Sequence, residues 1–373
     1  MNTKVLHLVE YLYQGGIERF LAEIGRIIPE AQLKQKFFAY EMDEFSGAAN
    51  ELKKLGKDVQ IYKKEHGYDA KLLSKLHRLI ANERITILHT HDFGPMEYAV
   101  ALKILNPRLV LIHTQHTLHH FVTNRKYVLF FQLASYFYQH IISVSEHVKD
   151  VLVKKCWGMK GIPVVIHNGV DAKRYCELKE IAFTDIEGPK LRLVCISRIS
   201  REKNLEHILL ACKKLKESNV DFHLHHAGTG TQKEVESVLN FINDNQLDKH
   251  ITLHGYQEDV REVLRLGDIF VSSSLTEGHP IAVLEAMASQ KLCLCSDIPA
   301  HQKISNEGII LFSLEEKNAL FNRLLEIKDR KMDYKSKIAI ASNDIKEKYT
   351  LQQMITRYLD LYNFSTRQSS FAV

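Results

Sequence analysis

The 373-residue chain lacks several features that would assign it to particular protein classes. Its longest apolar runs, such as Val128–Phe131, are far shorter than the roughly 20 residues that a membrane-spanning helix needs. Its six cysteines include no Cys-x-x-Cys pair, so a disulfide framework is not indicated. No secretory signal is recognised after Asn2-Thr3-Lys4, because polar residues soon interrupt the first apolar run. The sequence therefore predicts a cytoplasmic protein.

The chain also lacks a strong excess of either charge. Its formal net charge of +5 is only mildly basic, which is too little to predict a nucleic-acid partner. Its content of 45% hydrophobic and 25% charged residues is typical of a soluble globular protein. A chain of this length is long enough for two domains of ordinary size.

Strand and helix signals alternate through both halves of the chain. The strand signals of the first half are Val5–Val9, Phe37–Tyr40, Val59–Tyr62, Ile85–His89, Leu109–His113 and Ile141–Val144. Those of the second half are Leu191–Ser197, Phe222–Gly228, Ile251–Gly255, Ile269–Ser274, Leu292–Ser296 and Ile309–Phe312. Amphipathic segments lie between them, and parallel strands need such long crossovers. The pattern predicts an α/β protein with two doubly wound domains, which join in the polar region that follows the Asn168-Gly169 turn.

The stretch SSSLTEGHPIAVLE, residues 272–285, combines features of a phosphate-binding loop. It follows a predicted buried strand and leads into a predicted helix, with Pro280 at the first helical position. Glu277 then lies in the loop and Glu285 about one turn into the helix. The N-terminus of a helix suits a phosphate, and a carboxylate on each side of it suits the hydroxyls of a nucleotide-sugar. Two glutamates at this spacing also occur by chance, and Glu285 could be an ordinary exposed helix residue.

A basic loop follows the first strand of the second half. Arg198 and Lys203 lie in the segment Ser197–Asn204, where a planar guanidinium and a compact ammonium can converge on one diphosphate. A solvated basic loop is the plainer interpretation. We favour diphosphate binding, because the carboxyl edge of the sheet places this loop opposite the loop that carries Glu277.

Two glycine-rich loops are further candidates for ligand contact. Gly15-Gly16 follows the first strand and permits close approach of a ligand, although a tight structural turn explains these glycines equally well. Gly228 lies in Ala227–Gly230, which lacks the third glycine of a dinucleotide fingerprint. We interpret that segment as a loop near the nucleotide.

The segment EGHPIAVLEAMASQKLCLCSDIPAHQKI, residues 277–304, resembles the donor-site segment of glycosyltransferase family 4, with its Glu-x7-Glu motif. The loop that carries Arg198 and Lys203 resembles the G-R-x-x-x-x-K-N pattern of that family, and residues 15–18 resemble its G-G-x-E segment. The chain departs from the family pattern at three positions. Ser197 stands where the family has Gly, His279 where it has Phe or Leu, and Gln290 where it has Gly. The resemblance covers nearly the whole chain.

The resemblance implies a GT-B fold, in which two Rossmann-like domains face each other across a deep cleft. Residues 1–166 would bind the acceptor, and the C-terminal helix, residues 350–373, would pack back on that domain. Residues 167–349 would bind the nucleotide-sugar donor. We expect no metal or other cofactor, because the cationic side chains can neutralise the diphosphate.

The resemblance also implies roles for individual residues. Arg198 and Lys203 stabilise the departing diphosphate, aided by the amides of the Gly278–Ile281 loop. Glu285 holds the ribose hydroxyls, and Glu277 holds the donor sugar or its developing positive charge. The predicted donor-binding residues are Gly16, Arg198, Lys203, Gly228, Glu277, Gly278, His279, Pro280, Ile281 and Glu285.

The histidine-rich segment His113–His120, with His89 and His91, raises the question of a metal site. His113 and His116 would point to different faces of a strand, and no acidic residue or cysteine follows at a ligand spacing, so we predict none. We interpret His89 and His91 as residues of the cleft wall. His116 resembles the cleft histidine of the family, which contacts the donor sugar or the acceptor. The predicted catalytic residues are Glu277, His116, Arg198 and Lys203.

The segment Phe121–Ile142 contains seven aromatic residues beside Arg125 and Lys126. A buried helix is the plainer interpretation. A partly exposed amphipathic face would instead suit contact with a membrane surface and a lipid-linked acceptor.

The predicted activity is retaining transfer of a sugar from a UDP- or GDP-sugar to a glycan or lipid-linked hydroxyl, in bacterial surface polysaccharide biosynthesis. The protein would work in the cytoplasm, with peripheral contact at the inner face of the membrane as an option. One alternative is a nucleotide-sugar epimerase of the same fold. Another is a non-catalytic donor-binding or scaffold subunit of a polysaccharide assembly complex. The sequence leaves the base, the sugar and the acceptor open.

Overall fold

The computed structural model describes residues 3–13, 15–42, 44–65, 67–119, 121, 124–176, 190–305, 307–329 and 334–371. The chain forms two compact units, residues 1–168 with 352–373, and residues 169–351. The sequence prediction had placed the two junctions two residues earlier, after residues 166 and 349.

The first unit is built on a parallel sheet of seven strands in the order β3-β2-β1-β4-β5-β6-β7. The strands are β1 Lys4–Val9, β2 Lys34–Ala39, β3 Asp58–Ile61, β4 Ile87–His91, β5 Val110–Gln115, β6 His140–Ser143 and β7 Val164–Val165. The helices are α1 Gly16–Ile27, α2 Gly47–Lys54, α3 Ala70–Glu83, α4 Pro95–Leu105, α5 Arg125–Ser135 and α6 Glu146–Lys155. Strands β4 and β5 in the middle of this sheet are buried along their whole length, as is usual for parallel strands covered on both faces.

The second unit is built on a parallel sheet of six strands in the order β10-β9-β8-β11-β12-β13. The strands are β8 Leu191–Ile196, β9 Phe222–Ala227, β10 Ile251–Leu253, β11 Ile269–Ser272, β12 Leu292–Ser296 and β13 Ile309–Phe312. The helices are α7 Ala172–Cys176, α8 Leu205–Glu217, α9 Gln232–Asp244, α10 Arg261–Leu264, α11 Ile281–Ala288, α12 Pro299–Ile304, α13 Ala319–Lys328 and α14 Tyr334–Lys348. The direction in which strands are added reverses between β8 and β11, so the switch point of this sheet lies there.

The last helix, α15 Leu351–Phe371, packs against the sheet of the first unit. Its Tyr358 and Tyr362 are fully buried, and their hydroxyls contact Thr114 Oγ1 at 3.2 Å and His89 Nδ1 at 2.7 Å. Among the described residues, no helix combines the length and the apolar content needed to cross a bilayer.

Some helix boundaries differ from the prediction. Helix α5 begins at Arg125, before the predicted Val128, because the Asn124 side chain accepts a hydrogen bond from Lys126 N and caps the helix. Helix α11 begins at Ile281, so the prediction that Pro280 is the first helical residue is wrong. Pro280 precedes the helix with an extended ψ of 96°.

Candidate active site

Three loops of the second unit follow neighbouring strands at the carboxyl edge of its sheet. Residues 197–204 follow β8, residues 228–230 follow β9, and residues 273–280 follow β11. Ser273 Oγ donates hydrogen bonds to Lys203 O and Asn204 O, and Leu275 N donates to Glu202 O at 2.8 Å. These bonds hold the loop after β11 against the loop after β8, as the order of the strands predicts.

Lys203 and Glu277 meet at this contact. Lys203 Nζ lies 2.5 Å from Glu277 Oε1, and the two side chains are 21% and 12% exposed. Ser274 Oγ donates a second hydrogen bond to the same oxygen at 2.7 Å. The structure therefore brings together two of the four predicted catalytic residues.

The ionisation of Glu277 follows from this environment. Burial acts to raise the pKa of its carboxyl, but the Lys203 charge and the hydrogen bonds from Lys203 and Ser274 outweigh burial and leave the pKa below its ordinary value. At neutral pH Glu277 is a carboxylate. It can accept hydrogen bonds from hydroxyls and stabilise positive charge, but it has no proton to donate as a general acid.

The glycine loop after β9 supports the loop that carries Arg198. Gly228 has φ of +133°, and a Cβ there would lie 1.9 Å from Ser197 O. A Cβ on Gly230 would lie 2.3 Å from Ile199 O. These close approaches to backbone oxygens account for both glycines, so a dinucleotide-binding site is not needed to explain them. Arg198 itself is exposed and makes no ion pair within the described part of the chain.

The segment Gly278–Ile281 leads into α11. Gly278, His279 and Pro280 are buried and Ile281 is half-buried. The His279 ring packs against that of Tyr349, with 5.3 Å between the centroids. The amides at the start of α11 follow directly from the loop that carries Glu277, which is the arrangement that phosphate binding requires.

Glu285 lies within α11 and is only 5% exposed. Tyr175, from helix α7, donates a hydrogen bond from its hydroxyl to Glu285 Oε1 at 2.6 Å. Glu285 is therefore not an ordinary exposed helix residue. Sequence reasoning missed Tyr175, because the polar stretch that contains α7 was interpreted as a connection between domains.

His301 is a second residue that sequence reasoning missed. It is fully buried in α12, and its Nδ1 lies 2.8 Å from Ser296 O. Its Nε2 has no hydrogen-bond partner among the described residues. Burial lowers the pKa of His301, and the nearby Glu277 charge partly opposes this effect. Its only signal in the sequence was membership of the family-like segment 277–304.

The remaining predicted site residues, His116 and Gly16, belong to the first unit. Asp92, after β4, accepts hydrogen bonds from the amides of His116 and Thr117 at 2.8 and 3.1 Å and so shapes the chain after β5. Burial lowers the pKa of His116 to about 3, so its imidazole is neutral at physiological pH. Gly16 is the first residue of α1.

His116 ends a chain of hydrogen-bonded imidazoles. His91 Nδ1 lies 3.2 Å from His116 Nε2, and His7 Nδ1 lies 3.1 Å from His91 Nε2. Gln35 Nε2 lies 3.4 Å from His7 Nε2. With the Gln35 amide as donor, each histidine donates from Nδ1 to the next, which fixes the tautomer of His116 with its proton on Nδ1. His7 and Gln35 gave no signal in the sequence, because they reach His91 from other strands.

The predicted position of His89 and His91 in a cleft wall is wrong. Both side chains are almost completely buried, at 0% and 2% exposure. Helix α15 covers His89, whose ring nitrogens contact Tyr362 and Thr114. Because side chains alternate along a strand, His89 and His91 of β4 lie on the same face of the sheet.

The described residues contain one group with the spacing of a metal site. Ligand atoms of His7, His89 and His91 all lie within 4.8 Å of one another. Each of their ring nitrogens already has a polar partner, from one another or from Gln35, His116, Tyr362 and Thr114. A metal ion would have to displace these hydrogen bonds.

Two family models match the chain in consecutive segments. The model described as "Glycosyltransferase Family 4" matches residues 14–174, and the model described as "Glycosyl transferases group 1" matches residues 190–329. Together they cover more than half of the chain.

Two relatives and a solved structure align with this chain over almost its entire length. The UDP-Gal:alpha-D-GlcNAc-diphosphoundecaprenol alpha-1,3-galactosyltransferase of Escherichia coli is 24% identical, with 97% of each chain covered. The putative glycosyltransferase EpsF of Bacillus subtilis is 22% identical, with 98% of each covered. The structure of Anabaena Alr3699/HepE in complex with UDP-glucose aligns with a TM-score of 0.80 at 16% identity, covering 97% of this chain and 100% of that one. The chain thus has the GT-B fold, is a glycosyltransferase, and belongs to glycosyltransferase family 4.

Proposed function

We propose that the protein transfers a sugar, with retention of anomeric configuration, from a UDP- or GDP-sugar to a hydroxyl of a glycan or lipid-linked acceptor. The observation that carries this proposal is the Lys203–Glu277 pair at the switch point of the second sheet. It puts a cation and an ionised carboxylate beside the start of α11. The cation suits the negatively charged diphosphate, and the carboxylate suits the positive charge that develops on the sugar.

The cationic side chains act on the leaving group. Lys203 neutralises the negative charge that develops on the diphosphate as the sugar departs, and Arg198 adds a planar fork of donors. The amides of Gly278–Ile281 bind the phosphate at the N-terminus of α11, and Gly228 lets the backbone approach the nucleotide.

The acidic side chains act on the rest of the donor. Glu277 accepts hydrogen bonds from sugar hydroxyls and stabilises the positive charge of the reacting carbon. Glu285, oriented by Tyr175, holds the ribose hydroxyls. No side chain is assigned as a base, so the leaving phosphate takes the proton of the acceptor hydroxyl.

For the first unit we propose acceptor binding. Neutral His116 hydrogen-bonds the transferred sugar or the acceptor hydroxyl, and Gly16 permits the backbone to approach the donor. Support for a lipid-linked acceptor comes from the Escherichia coli relative, whose name includes a diphosphoundecaprenol acceptor. The reaction would belong to surface polysaccharide biosynthesis in the cytoplasm, with peripheral contact at the inner face of the membrane.

The experiment begins with a panel of UDP- and GDP-sugars tested by thermal shift, because a ligand that binds only the native state raises the melting temperature. The donor found in this way is incubated with and without candidate acceptors, and release of nucleoside diphosphate is measured. We expect release to depend on the acceptor, and NMR of the product to show the anomeric configuration of the donor. Inverted product would refute retention, and epimerised donor without acceptor would identify an epimerase instead.

We also propose that transfer needs no metal. Activity should persist in EDTA, since Lys203 and Arg198 supply the positive charge at the diphosphate. Complete loss of transfer that added zinc or magnesium reverses would contradict this. A variant His7→Gln that abolished the metal response would then locate the ion at the histidine group.

A further inference from the structure

Helix α5 of the first unit presents apolar side chains to solvent. Leu129, Leu133 and Tyr136 are 59%, 62% and 59% exposed. They follow one another at spacings of four and three residues, so they lie on one face. The opposite face buries Phe131 and Ala134 in the core. A helix on the surface of a globular domain normally packs its apolar face against the core. A second apolar face that is exposed to solvent therefore indicates an interaction surface.

The loop after α6 extends this exposed face. Trp157, the only tryptophan of the chain, is 87% exposed, and Ile162 is 73% exposed. The loop is held against α5, because Lys160 N donates to Ser135 Oγ at 2.8 Å. A Cβ on Gly158 would lie 3.4 Å from Gln132 Nε2. We call the residues Lys126, Leu129, Leu133, Tyr136, Trp157, Lys160 and Ile162 the α5 surface.

Cationic side chains lie close in the sequence to these apolar residues, at the start of α5, at the end of α6 and in the loop that follows α6. Arg125, Lys126, Lys154 and Lys160 are exposed. Residues 125–164 contain six lysines and arginines but only two acidic residues. Those two, Glu146 and Asp150, are on α6, and Glu146 lies 3.2 Å from Lys149. The α5 surface therefore combines aromatic and aliphatic side chains with an excess of positive charge.

This chemistry favours one occupant. Tryptophan, tyrosine and leucine beside lysine and arginine are the residues that enter the headgroup boundary of an anionic bilayer. A two-fold contact with a second copy would place the same cationic surface against itself and bring like charges together. Anionic lipids would instead neutralise these charges.

We propose that the α5 surface docks on an anionic phospholipid bilayer. This inference deepens the proposed function, because docking would hold the enzyme where a lipid-linked acceptor lies, but docking itself requires no sugar transfer. Apolar side chains enter the headgroup region, while Arg125, Lys126, Lys154 and Lys160 bind lipid phosphates.

The test measures sedimentation of the full chain with vesicles. Vesicles of equal parts phosphatidylglycerol and phosphatidylcholine should bind the protein, and vesicles of phosphatidylcholine alone should not. Added salt should weaken binding, because it screens the lysine and arginine charges. Leu133→Ser and Trp157→Ser should each lower the partition coefficient about tenfold through lost apolar burial, and the double variant Lys126→Glu, Lys160→Glu by about tenfold or more.

Matched controls come from the second unit. Leu239 is 44% exposed on α9 and Lys249 is also exposed, so Leu239→Ser and Lys249→Glu should bind vesicles like the wild type. Equal binding to both kinds of vesicle, or unchanged binding of Leu133→Ser and Trp157→Ser, would overturn the proposal. So would a dimer in light scattering that Leu133→Ser dissociates, since the surface would then serve self-association.

A separate assay distinguishes failure of this inference from failure of the proposed function. Transfer to an acceptor dispersed in detergent, without vesicles, should be the same for the wild type and the Leu133→Ser and Trp157→Ser variants. Absence of transfer by the wild type there counts against the proposed function alone. Loss of transfer only in the variants would overturn the docking proposal, because these residues would then act directly in catalysis.

Discussion

At the scale of single residues, Lys203 contributes a cation at the place where the leaving diphosphate would develop charge. We expect Lys203→Ala to reduce kcat by a factor of roughly 100 to 1000, since loss of one contact made in the transition state costs about 2.7–4 kcal/mol. The fold should be less affected, because Glu277 keeps its hydrogen bond from Ser274. Steady-state kinetics at saturating donor and thermal melting measure the two effects.

The control for this variant is Lys249→Ala, at an exposed position of the same unit. It should leave kcat and melting unchanged. A Lys203→Ala enzyme with near-wild-type kcat would show that Lys203 does not stabilise the leaving group.

Replacing Glu277 or Glu285 by glutamine, which keeps the shape and removes the charge, should produce different kinetic defects at the two positions. Glu285→Gln should raise the KM for the donor with a smaller change in kcat, because the ribose does not react and its contacts are equal in ground and transition states. Glu277→Gln should lower kcat itself. The measurement is kinetics against varied donor. Equal losses of kcat with unchanged KM at both positions would refute the division of roles, though not the enzyme class.

At the scale of elements, the sequence predicted the strands of the second unit well, and β12 and β13 have the predicted bounds. Their apolar runs are bounded by polar turn residues, so burial is visible locally. Strands β4 and β5 each end about two residues later than predicted. Their last residues are histidine, threonine and glutamine, which carry no apolar signal in the sequence although the folded unit buries them.

The candidate site was only partly predictable for a related reason. Adjacent strand ends bring Lys203 near Glu277, and the predicted order of α/β units already implied that contact. The Tyr175–Glu285 bond and the His7–His91 contact join residues 110 and 84 positions apart. Such pairs depend on tertiary packing, which no local pattern in one sequence reports.

The turn before β12 gives a prediction at this scale. Gln290 has φ of +56°, in the left-handed region, where the family pattern has Gly. Gln290→Gly should raise the free energy of unfolding by about 1 kcal/mol, because the left-handed conformation strains a residue with a Cβ. Urea denaturation measures this change.

The neighbouring Ser289, with φ of −81°, serves as the control for that variant. Glycine at Ser289 gains no relief of strain and should destabilise by about 0.5–1 kcal/mol. Destabilisation by glycine at both positions would show that the left-handed turn costs the native protein nothing.

At the scale of the whole molecule, the first unit has a core with many buried ionisable groups. His7, His89, His91, His113 and His116 are all at most 7% exposed. Burial lowers the pKa of His113 to about 4 and that of His7 and His116 to about 3, and holds those of His89 and His91 well below the ordinary value of 6.5. These side chains are neutral in the native state but take up protons once the unit unfolds.

This difference predicts that the first unit unfolds in mild acid. The pKa of each of these histidines is lower in the folded state than in the unfolded state. Their contribution to the free energy of unfolding is therefore fully present well above pH 6.5. It decreases as the pH falls below 6.5 and stops decreasing once the pH is below the folded pKa. One pH unit below the unfolded pKa, a histidine that stays neutral in the native state costs about 1.4 kcal/mol. Several such residues together therefore remove a large part of the stability of a domain. Hydrogen exchange of peptides from the first unit, followed from neutral pH downward, should show this loss. His113→Gln should lessen it by one histidine's share. Protection that stayed constant across this pH range would contradict the prediction, because it would require native histidines that titrate as they do in the unfolded chain.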